Sequence, residues 1–451
     1  MIPKTKTQDT LIEDLGDGLI LRHATPADAE TLGDFNSRVH SDDGWDNPEI
    51  FLYHWTHDSL TKPHPTLKPA DFLIVEDTVK GRIASTMNLI PQTWTYAGIP
   101  FGVGRPELVA THPDYRNRGL VRKQFEIVHR WSAERGHLVQ AITGIPWYYR
   151  QYGYEMAVEL SGGRRCYASL IPVLKEGEED PYRLRKATAA DIPFLKDLYT
   201  RGTSRSLLAC PRDEALWQLE LGGRSPGASF HLSIMETPEG EPVGFTFGPD
   251  MMWGGALPIW WYEVAPGHNW QAVTNSALRG LKALGEQRLK EQESDKDFEQ
   301  IYFVLGSQHP LFEVIPHRLP GYADPYAWYL RVPDLPAFLR HIGPALEARL
   351  AASYLPGYSG DLMLNFYRTG VRLIFEHGRL TTVDTWQPTT QNEGHVAFPD
   401  RTFIQMLFGY RGLDELEAAF PDCWVDRDSP DHGVLARVLF PKSHSDLWAL
   451  Q

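Results

Sequence analysis

Residues 108–122 read LVATHPDYRNRGLVR, and this stretch decides how the fold is interpreted. Residues 107–111 form a short apolar run that predicts a buried strand, and residues 115–119 form a basic turn with one glycine. From residue 120 the apolar spacing of Val121, Phe125 and Val128 predicts a helix, which Gly136 would end as a C-terminal cap. The sequence therefore predicts a strand, a basic glycine turn and a helix in succession.

This succession is typical of a diphosphate-binding site. The first backbone N–H groups of a helix have no intrahelical partners, and together with the helix dipole they attract an anion. Gly119 allows close approach of the backbone, and Arg116, Arg118 and Arg122 add positive charge. The spacing matches neither the nucleotide P-loop, which needs Gly-Lys-Ser/Thr, nor the three-glycine dinucleotide loop. Taken alone, the turn could also be an ordinary basic surface loop.

A second motif follows the predicted strand at 138–142, where residues 144–155 read GIPWYYRQYGYE. The two motifs together resemble the Gcn5-related N-acetyltransferases (GNAT), whose pyrophosphate loop reads Arg/Gln-x-x-Gly-x-Gly/Ala. Val121 departs from the small residue at the last position. The RNRGLVR loop looks more specifically like that of the enhanced intracellular survival (Eis) acetyltransferases, which tolerate a larger aliphatic side chain there.

The resemblance implies that acetyl-coenzyme A (acetyl-CoA) is the co-substrate and that Tyr149 protonates the departing thiolate. A phenol of pKa near 10 can donate a proton to such a leaving group. Tyr148 is the immediate rival, and Tyr152 and Tyr154 are expected to be packing residues. The expected cofactor-binding residues are Val109, Ala110, Thr111, Arg116, Asn117, Arg118, Gly119, Leu120, Val121, Arg122, Gly144 and Ile145.

An internal repeat predicts two domains of one fold. LRHATPADAETL at 21–32 recurs as LRKATAADIPFL at 184–195, with Thr25 and Thr188 as helix N-caps. In the second copy the loop at 260–273 lacks both arginines of the turn, and Ala272 replaces the glycine. Residues 309–313 of that copy contain no phenol. The second domain is therefore expected to be inactive, which leaves one site per chain.

Residues 333–451 have a different pattern of apolar residues from the two repeats. Residues 335–352 have helical periodicity, residues 362–367 and 371–375 are strand-like, and residues 413–420 suit an amphipathic helix. We expect an α/β (α+β) protein with tandem GNAT-fold domains, the second degenerate, and a C-terminal α+β domain like sterol carrier protein 2 (SCP2). The expected boundaries are a tail at 1–20, a catalytic domain at 21–175, a degenerate domain at 182–332 and an SCP2-like domain at 333–451.

The Eis resemblance also implies the acceptor and the assembly. It implies acetyl transfer to primary amines, with aminoglycoside-, polyamine- or lysine-like acceptors, and symmetric hexamers. It further implies that the terminal carboxylate, here that of Gln451, acts as the general base, although this tail differs from the mycobacterial form. Asp42, Asp43 and Trp45 lie where the family lines its acceptor pocket, and they would suit a cationic amine. A solvated acidic turn is the alternative for this segment.

The composition of the chain argues against several classes of function. A formal net charge of -14 argues against a nucleic-acid partner. Three widely spaced cysteines indicate neither a disulfide framework nor a zinc site, and we expect no metal. The sequence lacks an apolar run near the ~20 residues of a membrane helix, so a cytoplasmic protein without a membrane partner is expected. The alternatives are a transferase of longer acyl groups, and a lipid- or partner-binding protein with a vestigial coenzyme A site.

Overall fold

The computed structural model describes residues 10–448, and its first unit is a twisted sheet with helices on both faces. The strand that precedes the basic turn is longer than predicted: it begins at Ile99 and pairs with its neighbour from that residue to its last, Thr111. The elements of this unit are β1 Leu11–Gly16, β2 Leu19–His23, α1 Ala29–Val39, α2 Ile50–Thr61, β3 Phe72–Asp77, β4 Arg82–Tyr96, β5 Ile99–Thr111, α3 Leu120–Glu134, β6 Val139–Ile142, β7 Glu155–Leu160 and β8 Gly163–Tyr167.

The second unit repeats this plan. Thr25 and Thr188 each begin a one-turn 3-10 helix that continues into a longer helix. Each threonine is bonded by the aspartate three residues on, Asp28 or Asp191, as the repeat predicts. The elements are β9 Arg183–Lys186, α4 Ile192–Thr203, β10 Leu208–Ala209, α5 Glu214–Gln218, β11 Phe230–Glu236, β12 Pro242–Pro249, β13 Ala256–Ile259, β14 Trp261–Val264, α6 Trp270–Glu291, β15 Gln300–Phe303, α7 Pro310–Val314, β16 Gly321–Ala323 and β17 Tyr326–Arg331.

The two repeats exchange strands. β17, which comes last in the second repeat, inserts between β6 and β7 of the first and pairs antiparallel with both. In return β8 pairs with β15 and β16. Each sheet is therefore completed by a strand from the other side of the linker at 176–181, so neither repeat has a complete sheet without the other.

The third unit contains a five-stranded sheet in the order β20-β19-β18-β21-β22. The helix expected over 335–352 is broken at Ile342, because Pro344 in the first turn of the following helix has no N–H for the first. The elements are α8 Leu335–His341, α9 Gly343–Ala352, β18 Gly360–Asn365, β19 Gly370–Glu376, β20 Arg379–Trp386, β21 Val396–Ala397, α10 Thr402–Leu407, α11 Leu413–Ala419, β22 Trp424–Val425 and α12 Asp431–Leu439.

The third unit packs against the first through aromatic side chains. The Tyr96 hydroxyl donates to the Leu407 carbonyl at 2.9 Å, and Phe101 meets Phe338 edge-on with ring centroids 5.3 Å apart. The elements of the three units confirm the predicted α/β fold class, with tandem related units and a C-terminal α+β unit. Within residues 10–448, none of the helices is long and apolar enough to cross a membrane.

Candidate active site

The cavity that concerns function lies at the carboxyl end of β5 and has a volume of about 740 Å³. Ten of the twelve predicted cofactor residues line it, whereas Ala110 and Gly144 do not. Ala110 is buried in the strand, with 1% of its surface exposed. The lining residues are Val39, His40, Ser41, Asp42, Val109, Thr111, Tyr115, Arg116, Asn117, Arg118, Gly119, Leu120, Val121, Arg122, Ile145, Tyr148, Gln151 and Tyr152.

The basic turn has the conformation that an anion-binding loop needs. Gly119 precedes the first helical residue with φ +75°, a left-handed backbone that favours glycine. A Cβ placed on Gly119 would meet no protein atom within 4 Å, so the space above this residue is open. The first N–H groups of α3 face this opening without a capping side chain on Gly119.

The three arginines of the loop have no carboxylate partner within residues 10–448. Within the part of the chain that the structure describes, no ion pair involves Arg116, Arg118 or Arg122. Arg118 and Arg122 instead lie over the rings of Tyr115 and Tyr152, at 5.6 and 5.8 Å from the ring centroids. Uncompensated guanidinium groups beside free helix N–H groups suit a diphosphate.

β5 leaves its backbone open on one edge beside the cavity. Leu108 has φ +50°, and the pairing of β5 with β4 shifts register between Thr86 and Asn88. On the other side, β5 pairs with β6 only at Val103 and Gly104. Beyond these residues the two strands separate, so the backbone of 107–111 has no strand partner on that edge. An extended ligand chain could hydrogen-bond there.

Tyr149, the predicted proton donor, does not line the cavity but lies behind the cavity-lining Tyr148, with ring centroids 5.4 Å apart. It is 3% exposed, and the backbone N–H of Ile145 hydrogen-bonds its phenol. Burial, together with the nearby carboxylate of Glu107 and the hydroxyl of Tyr148, raises the pKa of Tyr149 well above its ordinary value. The phenol therefore keeps its proton at neutral pH, which a proton donor requires.

The three neighbouring tyrosines have different surroundings. Tyr148 lines the cavity, and its hydroxyl lies 3.3 Å from that of Tyr152. Tyr152 also lines the cavity, and it stacks on Phe125 with ring centroids 4.2 Å apart. Tyr154 is fully buried and hydrogen-bonds the ring of His129 at 2.9 Å. Tyr148 therefore remains the rival proton donor, because it lines the cavity from the same turn that carries Tyr149.

Sequence reasoning missed Glu107. This carboxylate is on β5 directly before the left-handed residue, and Arg105 on the same strand face bonds it at 2.6 Å. Its charge raises the pKa of Tyr149 and opposes the burial that lowers the pKa of His40. Glu107 is thus close to both sides of the gap. The sequence signal that could have identified Glu107 is an acidic residue at the start of the apolar run at 107–111.

The three residues of the acidic loop predicted to bind the acceptor have different surroundings in the structure. Asp42 lines the cavity beside Ser41. Asp43 is exposed, and its backbone N–H donates to the Ser41 hydroxyl within a local turn. Trp45 packs edge-on against His112 with ring centroids 5.0 Å apart, next to the basic turn. Only Asp42 among the three predicted acceptor residues faces the cavity directly.

The corresponding positions of the second repeat are engaged in internal hydrogen bonds, although His309 also lines a cavity of about 550 Å³. The His309 ring hydrogen-bonds the Tyr262 carbonyl across the place where the first repeat leaves its strands open. Its other ring nitrogen accepts from the Leu311 N–H at 3.2 Å. At the start of α6 the Asn269 side chain accepts from the Ala272 N–H at 3.1 Å. Protein groups therefore use the hydrogen bonds that a ligand would need.

Two further predictions concern a metal and the chain terminus. The described residues include one cluster of possible metal ligands, Asp361, His395 and His432, in the third unit. The two imidazole rings stack with centroids 3.5 Å apart, and His395 Nδ1 accepts from the Met363 N–H at 3.0 Å. The ligand atoms of this cluster lie within 4.8 Å of one another, but none of the three residues lines the cavity at β5. Gln451, predicted as general base, lies outside the described residues.

Comparison with known proteins agrees with this geometry. Residues 49–157 match the family model of an acetyltransferase (GNAT) domain. No curated protein sequence matches the chain. Among solved structures, a probable N-acyltransferase from Enterococcus faecalis is similar with TM-score 0.64 and 15% identity, covering 96% of this chain and 99% of that one.

Two other solved structures are similar over the same extent. A GCN5-related N-acetyltransferase from Kribbella flavida has TM-score 0.62 and 17% identity, with 96% of this chain and 100% of that chain covered. Eis1 from Mycobacterium abscessus has TM-score 0.54 and 16% identity, with 96% and 99% covered. At these identities the likeness concerns the fold. The family match covers residues 49–157, about a quarter of the chain, and supports N-acetyltransferase activity for the first repeat.

Proposed function

We propose that this chain transfers the acetyl group of acetyl-CoA to a primary amine at the cavity of the first repeat. The observation that carries the proposal is the convergence of three features on one cavity. These are a basic helix N-terminus with no ion pair among the described residues, a strand edge left open by β5 and β6, and a buried protonated phenol directly behind the cavity-lining Tyr148.

The cofactor is placed by charge and by backbone hydrogen bonds. The diphosphate binds Arg116, Arg118 and Arg122 and the N–H groups that begin α3. The pantetheine arm extends along the open edge of residues 107–111, where backbone groups have no strand partner. This places the thioester near Tyr149, with a backbone N–H near Val109 available to polarise its carbonyl.

The reaction proceeds by direct attack. Glu107 takes a proton from the acceptor ammonium, and the neutral amine nitrogen attacks the thioester carbonyl carbon. The carbon–sulfur bond breaks, and the Tyr149 phenol protonates the thiolate. The proton that the attacking nitrogen still carries is lost as the amide forms, and it restores the phenol. Glu107 is our choice for the base because it begins the open edge of β5 at 107–111, where its carboxylate is held in place by Arg105 at 2.6 Å. The terminal carboxylate of Gln451 stays as the alternative, and loss of Glu107 distinguishes the two.

The acceptor is proposed to be an aminoglycoside-, polyamine- or lysine-like amine. Asp42 at the cavity supplies the charge that attracts an ammonium group, while Asp43 and Trp45 border the approach. We further propose a cytoplasmic hexamer with an SCP2-like third unit. Three free, buried cysteines suit a reducing compartment.

Thiol release from acetyl-CoA tests the proposal against a panel of polyamines, aminoglycosides and lysine peptides. We expect release to depend on one class of amine and to be lost in Tyr149→Phe. Absence of release with every amine, together with tight binding of a lipid by the third unit, would favour the alternative of a binding protein with a vestigial site.

A further inference from the structure

The inactive repeat contributes one side chain directly to the surroundings of the proton donor. Tyr329 is on β17, the strand that the second repeat inserts between β6 and β7 of the first. It is fully buried, and its ring meets that of Tyr149 edge-on with centroids 5.8 Å apart. The second repeat therefore forms one wall of the Tyr149 pocket.

Tyr329 also holds the backbone of the loop that carries Tyr149. The Trp147 N–H donates to the Tyr329 hydroxyl oxygen at 2.6 Å. The Tyr326 hydroxyl lies 3.0 Å from the same oxygen, so it can share a hydrogen bond with Tyr329. The Tyr329 hydroxyl therefore holds the backbone at Trp147, which is two residues before Tyr149.

That attachment matters because Trp147 has an unfavourable backbone conformation. Its φ is +65°, in the left-handed region that a residue with a side chain seldom adopts. The Trp147 side chain is 64% exposed and contacts the Arg150 guanidinium, 4.3 Å from its ring centroid. An exposed side chain does little to hold a strained backbone, so the buried hydrogen bond to Tyr329 has that role.

The same loop sets the direction of the phenol. The Ile145 N–H hydrogen-bonds the Tyr149 hydroxyl, and the Tyr148 N–H donates to the Ile145 carbonyl at 3.3 Å. A change of backbone at Trp147 would rotate the peptides on both sides of it. We propose that Tyr329 is a positioning residue, and that its hydroxyl keeps the 144–149 loop in the conformation that aims the Tyr149 proton at the thioester sulfur.

This inference rests on the proposed function, and it gives the degenerate repeat a role in catalysis. The second repeat has lost its own cofactor site but supplies, through an exchanged strand, the group that orders the acid of the first. Removing only the Tyr329 hydroxyl should therefore lower turnover while leaving the cofactor loop at Arg116–Arg122 untouched.

The test is Tyr329→Phe in the full-length protein, with thiol release as the readout. We expect kcat to fall about tenfold, the effect of one lost hydrogen bond on the geometry of the acid. The KM for acetyl-CoA should stay within about twofold. Tyr262→Phe is the matched control, since it removes a fully buried phenol hydroxyl of the second repeat that bonds Thr274 rather than the 144–149 loop, and it should keep most of the activity.

Two double variants separate positioning from general damage. Tyr149→Phe/Tyr329→Phe should be no slower than Tyr149→Phe alone, because the second hydroxyl acts through the first. Trp147→Gly should restore part of the activity of Tyr329→Phe, because glycine adopts the left-handed conformation without the hydrogen bond.

Multiplicative losses in the first double variant, or an unchanged kcat in Tyr329→Phe, would overturn the positioning role. If Tyr149→Phe itself leaves kcat unchanged, the proposed acid is wrong, and the result no longer concerns Tyr329 alone. Thermal unfolding of each variant identifies any that lose activity through misfolding.

Discussion

Replacing Tyr149 with phenylalanine is the most informative single change to the site. The ring contacts with Tyr148, Phe125 and Tyr329 remain, because phenylalanine fills the same space. The variant loses the phenolic proton and the hydrogen bond from the Ile145 N–H. The change therefore separates the chemistry of the hydroxyl from the packing of the side chain.

The expected loss of rate follows from the environment of the phenol. General acid catalysis contributes about 10²–10⁴-fold. A thiol resembles cysteine, with a pKa near 8.5, so its thiolate is a tolerable leaving group, and this favours the lower end of that range. Tyr149 is only 3% exposed, so water does not readily replace its proton. We expect kcat to fall about 100-fold, equivalent to about 2.7 kcal/mol of transition-state stabilisation.

The assay is steady-state thiol release at saturating amine, with acetyl-CoA varied to give kcat and KM separately. The KM for acetyl-CoA should change less than about threefold, because the diphosphate and pantetheine contacts are untouched. Tyr154→Phe serves as the control, since Tyr154 is a buried phenol whose hydroxyl meets only His129 among the hydrogen bonds described. An unchanged kcat in Tyr149→Phe, with a large loss in Tyr148→Phe, would refute the assignment.

Two further changes test other parts of the site, and a third tests Asp446, which follows α12 outside the site and donates its backbone N–H to the Ser206 hydroxyl at 3.1 Å. Gly119→Asp should abolish coenzyme A binding in calorimetry, because a carboxylate would face the diphosphate; retained affinity would move the diphosphate elsewhere. Glu107→Gln should lower kcat more at pH 6 than at pH 9, where the amine loses its proton without help; an equal loss at both would exclude a base. Burial raises the pKa of Asp446 to about 7, so its ionisation destabilises the folded protein increasingly as pH rises from about 4 to 7. Asp446→Asn should therefore raise the melting temperature more at pH 8 than at pH 5, and an equal effect would contradict this.

The local part of the site was predictable from sequence. The succession of strand, basic turn and helix at 107–136 depends on residues close together in the chain, and the structure places it in β5 and α3. The repeat was equally visible, because Thr25 and Thr188 begin the same capped turn. Such features follow from spacing and capping, which a single sequence records.

The long-range part was not predictable in the same way. Nothing near Tyr326–Arg331 indicates that this strand joins the first sheet, since the pairing is with residues more than 150 positions earlier. The roles assigned to Glu107 and Tyr329 also depend on neighbours that only folding brings together. The helix break at Ile342 is a different case, because the Gly343-Pro344 pair was present in the sequence and outweighs the apolar periodicity.

The most direct test of the account measures two amounts in the same reaction, with one preparation of each variant. These are the N-acetylated amine, measured by mass spectrometry, and the coenzyme A thiol released. Wild type and His309→Ala, which alters only the second repeat, should each give one acetylated amine per thiol. Gly119→Asp and Tyr149→Phe should give little or none over the same time. Full product from Gly119→Asp, or loss of product in a folded His309→Ala, would contradict the claim that the first repeat alone carries the chemistry.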